Sequence, residues 1–209
     1  MPQAISRYIN SSIIVIISMM MVQCDGSVKK SLPQIPIEKI QQGDIVFRRG
    51  ESMASEVVLF NDADGKYSHV GIVVECDSGM MVVHAVPGEN PKLPNYDLIV
   101  MERIDKFFAP EAAVMGEIMR MDLDSTKCCL LSKLAIEKVK QKVPFDHNYD
   151  LSDTTKLYCT ELLQHLYEKI GIDLAQGRIT SINVPGMTND YIMPSDIYHN
   201  DKLKSIFIY

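Results

Sequence analysis

The run Tyr67-Ser68-His69-Val70-Gly71-Ile72-Val73-Val74-Glu75, followed after Cys76-Asp77-Ser78-Gly79 by Met80-Met81-Val82-Val83-His84-Ala85-Val86, sets the frame for the rest of the chain. Both runs are rich in β-branched and apolar residues, and the segment between them is turn chemistry, so an antiparallel hairpin is predicted. Alternation along the first strand puts His69, Gly71, Val73 and Glu75 on one face and Val70, Ile72 and Val74 on the other. The second strand puts Met80, Val82, His84 and Val86 together. If Glu75 pairs with Met80, Gly71 falls opposite His84. His84 is then a diagonal neighbour of His69 on the same face, about 7–8 Å away at Cα. Gly71 carries no side chain, so the His84 ring has room to lean toward His69. A one-residue slip would send His84 to the other face, which makes this a sharp expectation.

Further strands are predicted over Asp44-Ile45-Val46-Phe47-Arg48, from Leu98 to Glu102 and from Val114 to Met121. Glu51 to Phe60 is expected to be a helix with Val57, Leu59 and Phe60 as its buried end, and Asn61-Asp62-Ala63-Asp64-Gly65 a loop. Asp124-Ser125-Thr126 can cap a helix that carries Leu131, Leu134, Ala135, Lys138 and Val139 at helical spacing and stops before Pro144. A second helix is expected from about Lys156 to Ile170, with Cys159, Leu162, Leu163, Leu166 and Ile170 on one face and Gly171 ending it. Hairpin-joined strands with helices before and after them imply an antiparallel sheet packed by helices, an α+β fold.

Cys159 falls in the first turn of that second helix, after the capping candidates Asp153, Thr154 and Thr155. Free backbone N–H groups and the positive end of the helix favour a thiolate there and can stabilise a neighbouring oxyanion. A buried Cys on a helical face is more often plain packing, so Cys159 alone decides little. The two facing histidines change the balance. A nucleophile needs a base, and the base needs a third group to hold its tautomer; Cys159, His69 and His84 supply all three roles. His147 sits in a loop near the start of the Cys helix, within reach of a substrate. His165 lies off the apolar stripe, and His199 is in a C-terminal turn. Cys128 and Cys129 are read as helical packing residues and Cys76 as a hairpin thiol, with no disulfide fixed by spacing. CxxC, HExxH, GxSxG, P-loop and GxGxxG motifs are all lacking, so no metal and no cofactor is expected. A zinc site on His69, His84 and Cys159 ranks below the thiol-enzyme reading.

The chain has 209 residues with 46% apolar and 23% charged residues, an ordinary globular composition. Its net charge of −6 argues against a nucleic-acid partner. Of 13 Met, four lie in the first 21 residues, beside the apolar core Ile13-Ile14-Val15-Ile16-Ile17-Ser18-Met19-Met20-Met21-Val22. Arg7 is the one basic residue before that core. A charged start, a core too short to span a bilayer and a polar exit fit a secretory signal peptide over residues 1–23. Cys24 directly follows, as in the lipobox of bacterial lipoproteins, although Gln23 stands where a small residue is usual. Two endings stay open: lipidation of Cys24, with a membrane anchor in the cell envelope (periplasmic or outer membrane), or secretion with Cys24 free. Residues 24–36, polar and proline-spaced, read as a tether, and residues 37–209 as a single catalytic domain. Oligomeric state is not encoded in any pattern found.

Four blocks, taken in order, are familiar: Gly43-Asp44-Ile45-Val46-Phe47, Tyr67-Ser68-His69-Val70-Gly71-Ile72-Val73, Tyr158-Cys159-Thr160-Glu161-Leu162-Leu163 and Met193-Pro194-Ser195-Asp196-Ile197-Tyr198. Together they resemble the YiiX/YaeF-like branch of the NlpC-type cysteine peptidases and amidases. The resemblance implies a circularly permuted papain-like fold, in which the His-bearing strands precede the Cys helix. It also implies Cys159 as nucleophile and His69 as general base, and its third position falls on His84. Many members of the branch carry a carboxylate there, whereas the wider superfamily often has His. The expected activity is hydrolysis of an amide bond, in peptidoglycan-derived peptides or small lysine-like amides. Acyl transfer or ester hydrolysis on lipids by the same residues is the alternative, and a non-catalytic binding lipoprotein a third.

Overall fold

The computed structural model describes residues 32–87, 97–184 and 187–209. The signal peptide, Cys24 and most of the tether expected from the sequence fall outside the described residues. Among the described residues, no helix is long and apolar enough to cross a membrane.

Six strands form one antiparallel sheet: β1 (Ile45–Arg49), β2 (His69–Cys76), β3 (Gly79–Val86), β4 (Leu98–Arg103), β5 (Met115–Met121) and β8 (Leu203–Ile208). Their order across the sheet is β4-β3-β2-β1-β5-β8. A separate hairpin pairs β6 (Thr180–Val184) with β7 (Met187–Tyr191). The helices are α1 (Met53–Asn61), α2 (Ile104–Phe107), α3 (Ser125–Lys140), α4 (Cys159–Glu168) and α5 (Pro194–Tyr198).

The β2–β3 register is the one expected, with Glu75 opposite Met80, Val73 opposite Val82 and Ile72 opposite Val83. Alternation then divides the hairpin between two cores. Val70, Ile72, Val74, Val83 and Ala85 pack beneath Leu131 and Ala135 of α3 and Leu162, Leu163 and Leu166 of α4. Val73 and Val82 face the other way, against Val46, Ile118, Phe107 and Phe108. Burial on both sides explains why β2 is apolar almost throughout instead of alternating. Truncating any of these fully buried leucines is expected to cost about 2–5 kcal/mol. Leu163→Ala, melted beside the parent chain, measures this at the helix that carries Cys159.

Helix α3 begins as expected, with Asp124 Oδ1 accepting from the Lys127 N–H at 2.9 Å. Two other helices differ from expectation. In α1 only Leu59 of the three expected core residues is buried; Val57 is 47% and Phe60 88% exposed. This helix borders a cleft, which Val57 and Val58 line, rather than lying flat on the sheet. The Cys helix starts at Cys159, three residues later than expected. Leu157 is held extended into the core by its N–H to the Pro144 carbonyl at 3.1 Å, and Tyr158 keeps β geometry. Asp153 therefore closes a turn of its own, accepting from the Thr155 N–H, and does not cap α4. Strands β6, β7 and β8 are additional to the sequence expectation.

Candidate active site

Cys159 is the first residue of α4, and both of its neighbours are pinned to one point of the chain. The Tyr158 hydroxyl accepts from the Ile192 N–H at 2.9 Å, and the Thr160 hydroxyl donates to the Ile192 carbonyl at 2.5 Å. Just beyond Ile192 comes the tail block quoted above. Pro194 opens α5, Asp196 accepts from the Met193 N–H at 2.7 Å, and Asp62 accepts from both the backbone N–H and the hydroxyl of Ser195. The chain leading into the tail motif thus holds the start of the helix that carries Cys159.

His69 opens β2 and pairs across the sheet with Arg48 of β1. Its Nε2 lies 2.8 Å from Nδ1 of His84, with the two rings nearly perpendicular. The register that pairs Ile72 with Val83 carries on to Gly71 and His84. A Cβ on Gly71 would come within 3.2 Å of the His84 Cβ and 2.7 Å of Val82 Cγ1. Gly71→Ala is therefore expected to push the imidazoles apart, destabilise the fold by about 1–3 kcal/mol and depress turnover more than stability alone explains. Thermal melts and kcat on the same preparation separate the two effects.

Two residues join the pair that sequence reasoning did not single out. Glu102 of β4 places Oε1 2.9 Å from Nε2 of His84. Arg48 is buried, donates to the Phe107 carbonyl at 3.0 Å, sits over the Phe107 ring and lies 3.8 Å from Glu102. In the β3–β4 register His84 pairs with Val100, so Glu102 is its diagonal neighbour by the rule that joined the two histidines. The signal was present in the strand expected over residues 98–102, but the sequence between the two strands gives no loop length from which their register could be read.

Burial holds His69 well below the ordinary imidazole range, and the charge of Arg48 and the nearby His84 add to this. Burial likewise pushes the Cys159 thiol up to about 11. The N–H groups of Val70, Thr160 and Cys159 and the charge of Arg48 oppose that rise without cancelling it. The helix start does favour the thiolate, as expected, but desolvation is the larger effect. Burial thus disfavours the charged form of both the thiol and the imidazole.

Glu161, two residues along α4, is buried and accepts from the Tyr158 N–H at 3.3 Å, which caps the helix. Burial pushes its carboxyl up to about 8, with the Tyr158 N–H opposing and Asp146, Asp153 and Asp150 reinforcing. Between its ordinary value of 4.5 and about 8, the folded chain holds a proton that the unfolded chain has lost. Stability contributed here is complete at low pH and declines as pH rises through that window. Glu161→Gln keeps an acceptor but not the titration. Its melting temperature is expected to gain on the parent between pH 5 and 8.5, whereas a constant difference would show that Glu161 does not titrate there.

Cys159, His69 and Arg48 all line one cleft of about 660 Å³. One wall is α1 with Val57 and Val58; another is the β6–β7 hairpin with Ile182 and Tyr191. His147 also lines it, 2.5 Å from Asp97, on a loop folded by Asp146 accepting from the Asn148 and Asp150 N–H groups. His199 pairs with Asp64 on the surface, and His165 lies on a second, shallower hollow. Cys76, Cys128 and Cys129 are free thiols, Cys128 buried and the other two partly so.

A helix-start Cys and a strand-borne His sharing a cleft, with the His earlier in the chain, define a papain-like thiol hydrolase of permuted order. The chain belongs to the YaeF/YiiX, C92 family of permuted papain-like amidase enzymes, whose model matches residues 39–207. Among solved structures, the metalloprotein YiiX of Escherichia coli O157:H7 has a TM-score of 0.66 at 16% identity, over 81% of this chain and 97% of that one. At that identity the likeness concerns the fold. No curated protein sequence matches the chain. The word metalloprotein describes the neighbour. Among the described residues of this chain, no group of three or more His, Cys, Asp or Glu is spaced to hold a metal ion, His69, His84 and Cys159 included.

Proposed function

We propose that the chain is an exported thiol amidase in which Cys159 is the nucleophile, His69 the general base and acid, and His84 the group that orients His69. The observation carrying this reading is that His69, held 2.8 Å from His84, lines the same cleft as the helix-start Cys159. Nε2 of His69 is engaged by His84, so Nδ1 is the nitrogen left for the thiol. As sulfur attacks the substrate carbonyl, the S–H proton passes to Nδ1, an S–C bond forms and the carbonyl electrons move to oxygen. The N–H groups at the first turn of α4, Cys159 and Thr160, which face the sulfur, are the candidates to stabilise that oxygen. Collapse breaks the C–N bond, and Nδ1–H protonates the departing amine. Water, giving a proton to His69 Nδ1, then adds to the thioester carbonyl; the C–S bond breaks, the acid leaves and the proton on Nδ1 returns to the sulfur.

Because burial disfavours both charged forms, the ion pair forms only during reaction, when substrate replaces water in the cleft. Iodoacetamide is accordingly expected to alkylate Cys159 slowly near neutral pH and progressively faster toward pH 11. Rate against pH, followed by peptide mass, checks this, with half-exposed Cys76 as internal reference.

The preferred substrates are amides in peptidoglycan-derived peptides or small lysine-like amides, met outside the cytoplasm by a chain tethered through residues 24–36. The apolar segment before Cys24 supports export, and lipidation of Cys24 is part of the same proposal. Intact mass of the protein recovered from membranes tests it: a diacylated chain beginning at Cys24 agrees, and an uncleaved N-terminus does not.

One observation favours a second reading, acyl transfer from lipids. Met53 and Phe60 of α1 are each 88% exposed, and Val57, at helical spacing between them, lines the cleft. Incubation with muropeptides and with phospholipids in parallel, quenched in acid, separates the two. Mass gained at Cys159 identifies the acyl donor. Absence of any adduct or turnover with both panels would retire the enzymatic reading.

A further inference from the structure

We propose that the cleft is a groove for an extended peptide of about four to six residues, with the scissile bond near its middle, and not a pocket for a small amide. Resting on Cys159 and His69 as the reacting pair, this narrows the substrate class from amides in general to peptides engaged on both sides of the bond.

The strand registers give the groove its direction. Leu98 of β4 lies opposite Val86 of β3, and the β2–β3 register, continued from Ile72 and Val83, brings Val86 level with His69. His69 lies opposite Arg48 of β1, whose neighbour Arg49 lies opposite Met115 of β5. The ends of five adjacent strands, in the order β4-β3-β2-β1-β5, therefore stand in one row. Val86 from β3, His69 from β2, Gly50 after β1 and Ala112 ahead of β5 all line the cleft. His147, bonded to Asp97 just ahead of β4, lines it too. The cleft thus follows the row from one side to the other.

Length decides what fits. Neighbouring strands are about 4.8 Å apart, so the row from β4 to β5 is about 19 Å long and takes about six extended residues. His69 opens β2, the third of the five strands, and the Val70 N–H reaches the Cys159 sulfur. The reacting pair therefore stands midway, with about 10 Å, or about three residues, on either side.

Volume gives a lower bound. A residue of extended chain packed between sheets fills about 4.8 × 10 × 3.3 Å, or about 160 Å³. The cleft of about 660 Å³ then holds about four such residues, and a lone amino-acid amide would leave most of it to water. One side of the groove is apolar without a break, since Val58 of α1 packs against Ile182 and Tyr191 of the β6–β7 hairpin. That wall suits side chains flanking the bond. The polar residues His147 and Glu111 line the cleft toward its two ends, beyond the reach of a one-residue ligand held at Cys159.

Two series of alkylating peptides test the groove on the full chain. Iodoacetyl-oligoalanine amides carry their residues away from the sulfur in one direction, and acetyl-oligoalanine chloromethyl ketones in the other. Each series runs from one alanine to four, and peptide mass follows labelling of Cys159 against half-exposed Cys76. The Cys159 rate relative to Cys76 should rise about 10-fold for each alanine up to the third and then level off, in both series. His147→Ala should remove the gain in one series and Glu111→Ala in the other. Both replaced side chains are exposed, so the fold is not at stake. A rate already level at one alanine in either series would overturn the proposal and leave a pocket for a small amide. Gains that neither substitution reduces, or no labelling of Cys159 at all, would overturn it as well. The probes need no turnover. Length-dependent labelling without hydrolysis of any amide would therefore retire the amidase reading and leave the groove standing.

Discussion

Cys159→Ala is expected to abolish turnover, lowering kcat by about 10⁶-fold if the residue acts as the nucleophile of a concerted set. The fold should survive. Cys159 packs at the edge of the main core and is half-buried, and its replacement removes a single sulfur that lines the cleft. The N-terminus of α4 is held through Tyr158 and Thr160 to Ile192, neither bond involving the thiol. An unfolding free energy within about 1 kcal/mol of the parent, with no acyl adduct on the chain, is the expected pair of results. Cys159→Ser should be nearly as inactive. A serine hydroxyl is far harder to deprotonate, and the proposed base, His69, is an imidazole held below its ordinary range. Undiminished turnover by Cys159→Ala would dismiss the thiol mechanism. The same variant is useful as a substrate trap, because the cleft walls are unchanged.

The hairpin was readable because its period and its turn leave one register that buries the apolar face. Glu75 against Met80 followed, and with it the meeting of His69 and His84 across Gly71. The reversed order of His and Cys was equally readable as soon as both were placed on elements. The family match over residues 39–207 agrees with the permuted papain-like architecture expected from the four sequence blocks. What escaped depended on contacts that local pattern does not encode. Glu102 belongs to the site through the β3–β4 register. Arg48 reads as an ordinary strand end, yet β1–β2 pairing sets it beside His69.

The error on α1 has a different cause. Val57 and Phe60 look like core residues at helical spacing, but the helix borders a cleft and leaves them exposed. Apolar period alone does not say whether a face meets a core or an opening. The Cys helix was expected three residues early because Lys156 and Leu157 are competent helix formers. Tertiary bonding of Leu157 to Pro144 overrides that propensity. The β6–β7 hairpin carries Thr, Ser and Asn in place of an apolar alternation, so it gives no strand signal, although its inner residues Ile182 and Tyr191 wall the cleft.

His69→Ala carries the second large effect, about 10⁴–10⁶-fold in kcat, and the double variant with Cys159→Ala tells more than either alone. If His69 acts only by moving the proton of Cys159, removing both should cost no more than removing one, because residues acting as a unit are grossly non-additive. Separate roles, such as His69 binding the substrate while Cys159 packs, would instead multiply. The alanine also leaves His84 Nδ1 without the ring it now touches at 2.8 Å, beside Phe107, which packs against both rings. A loss of stability of about 1–3 kcal/mol is therefore expected from the cavity and the orphaned nitrogen. It must be measured and kept apart from the kinetic loss. Added imidazole offers that separation. His69 lines the cleft, whose volume of about 660 Å³ is large enough to admit a five-membered ring. A free base can return proton transfer without restoring the fold's stability. Partial recovery of turnover by imidazole in His69→Ala, but none in Cys159→Ala, is the pattern that base and nucleophile require. Recovery in both would mean that neither holds the role given to it here.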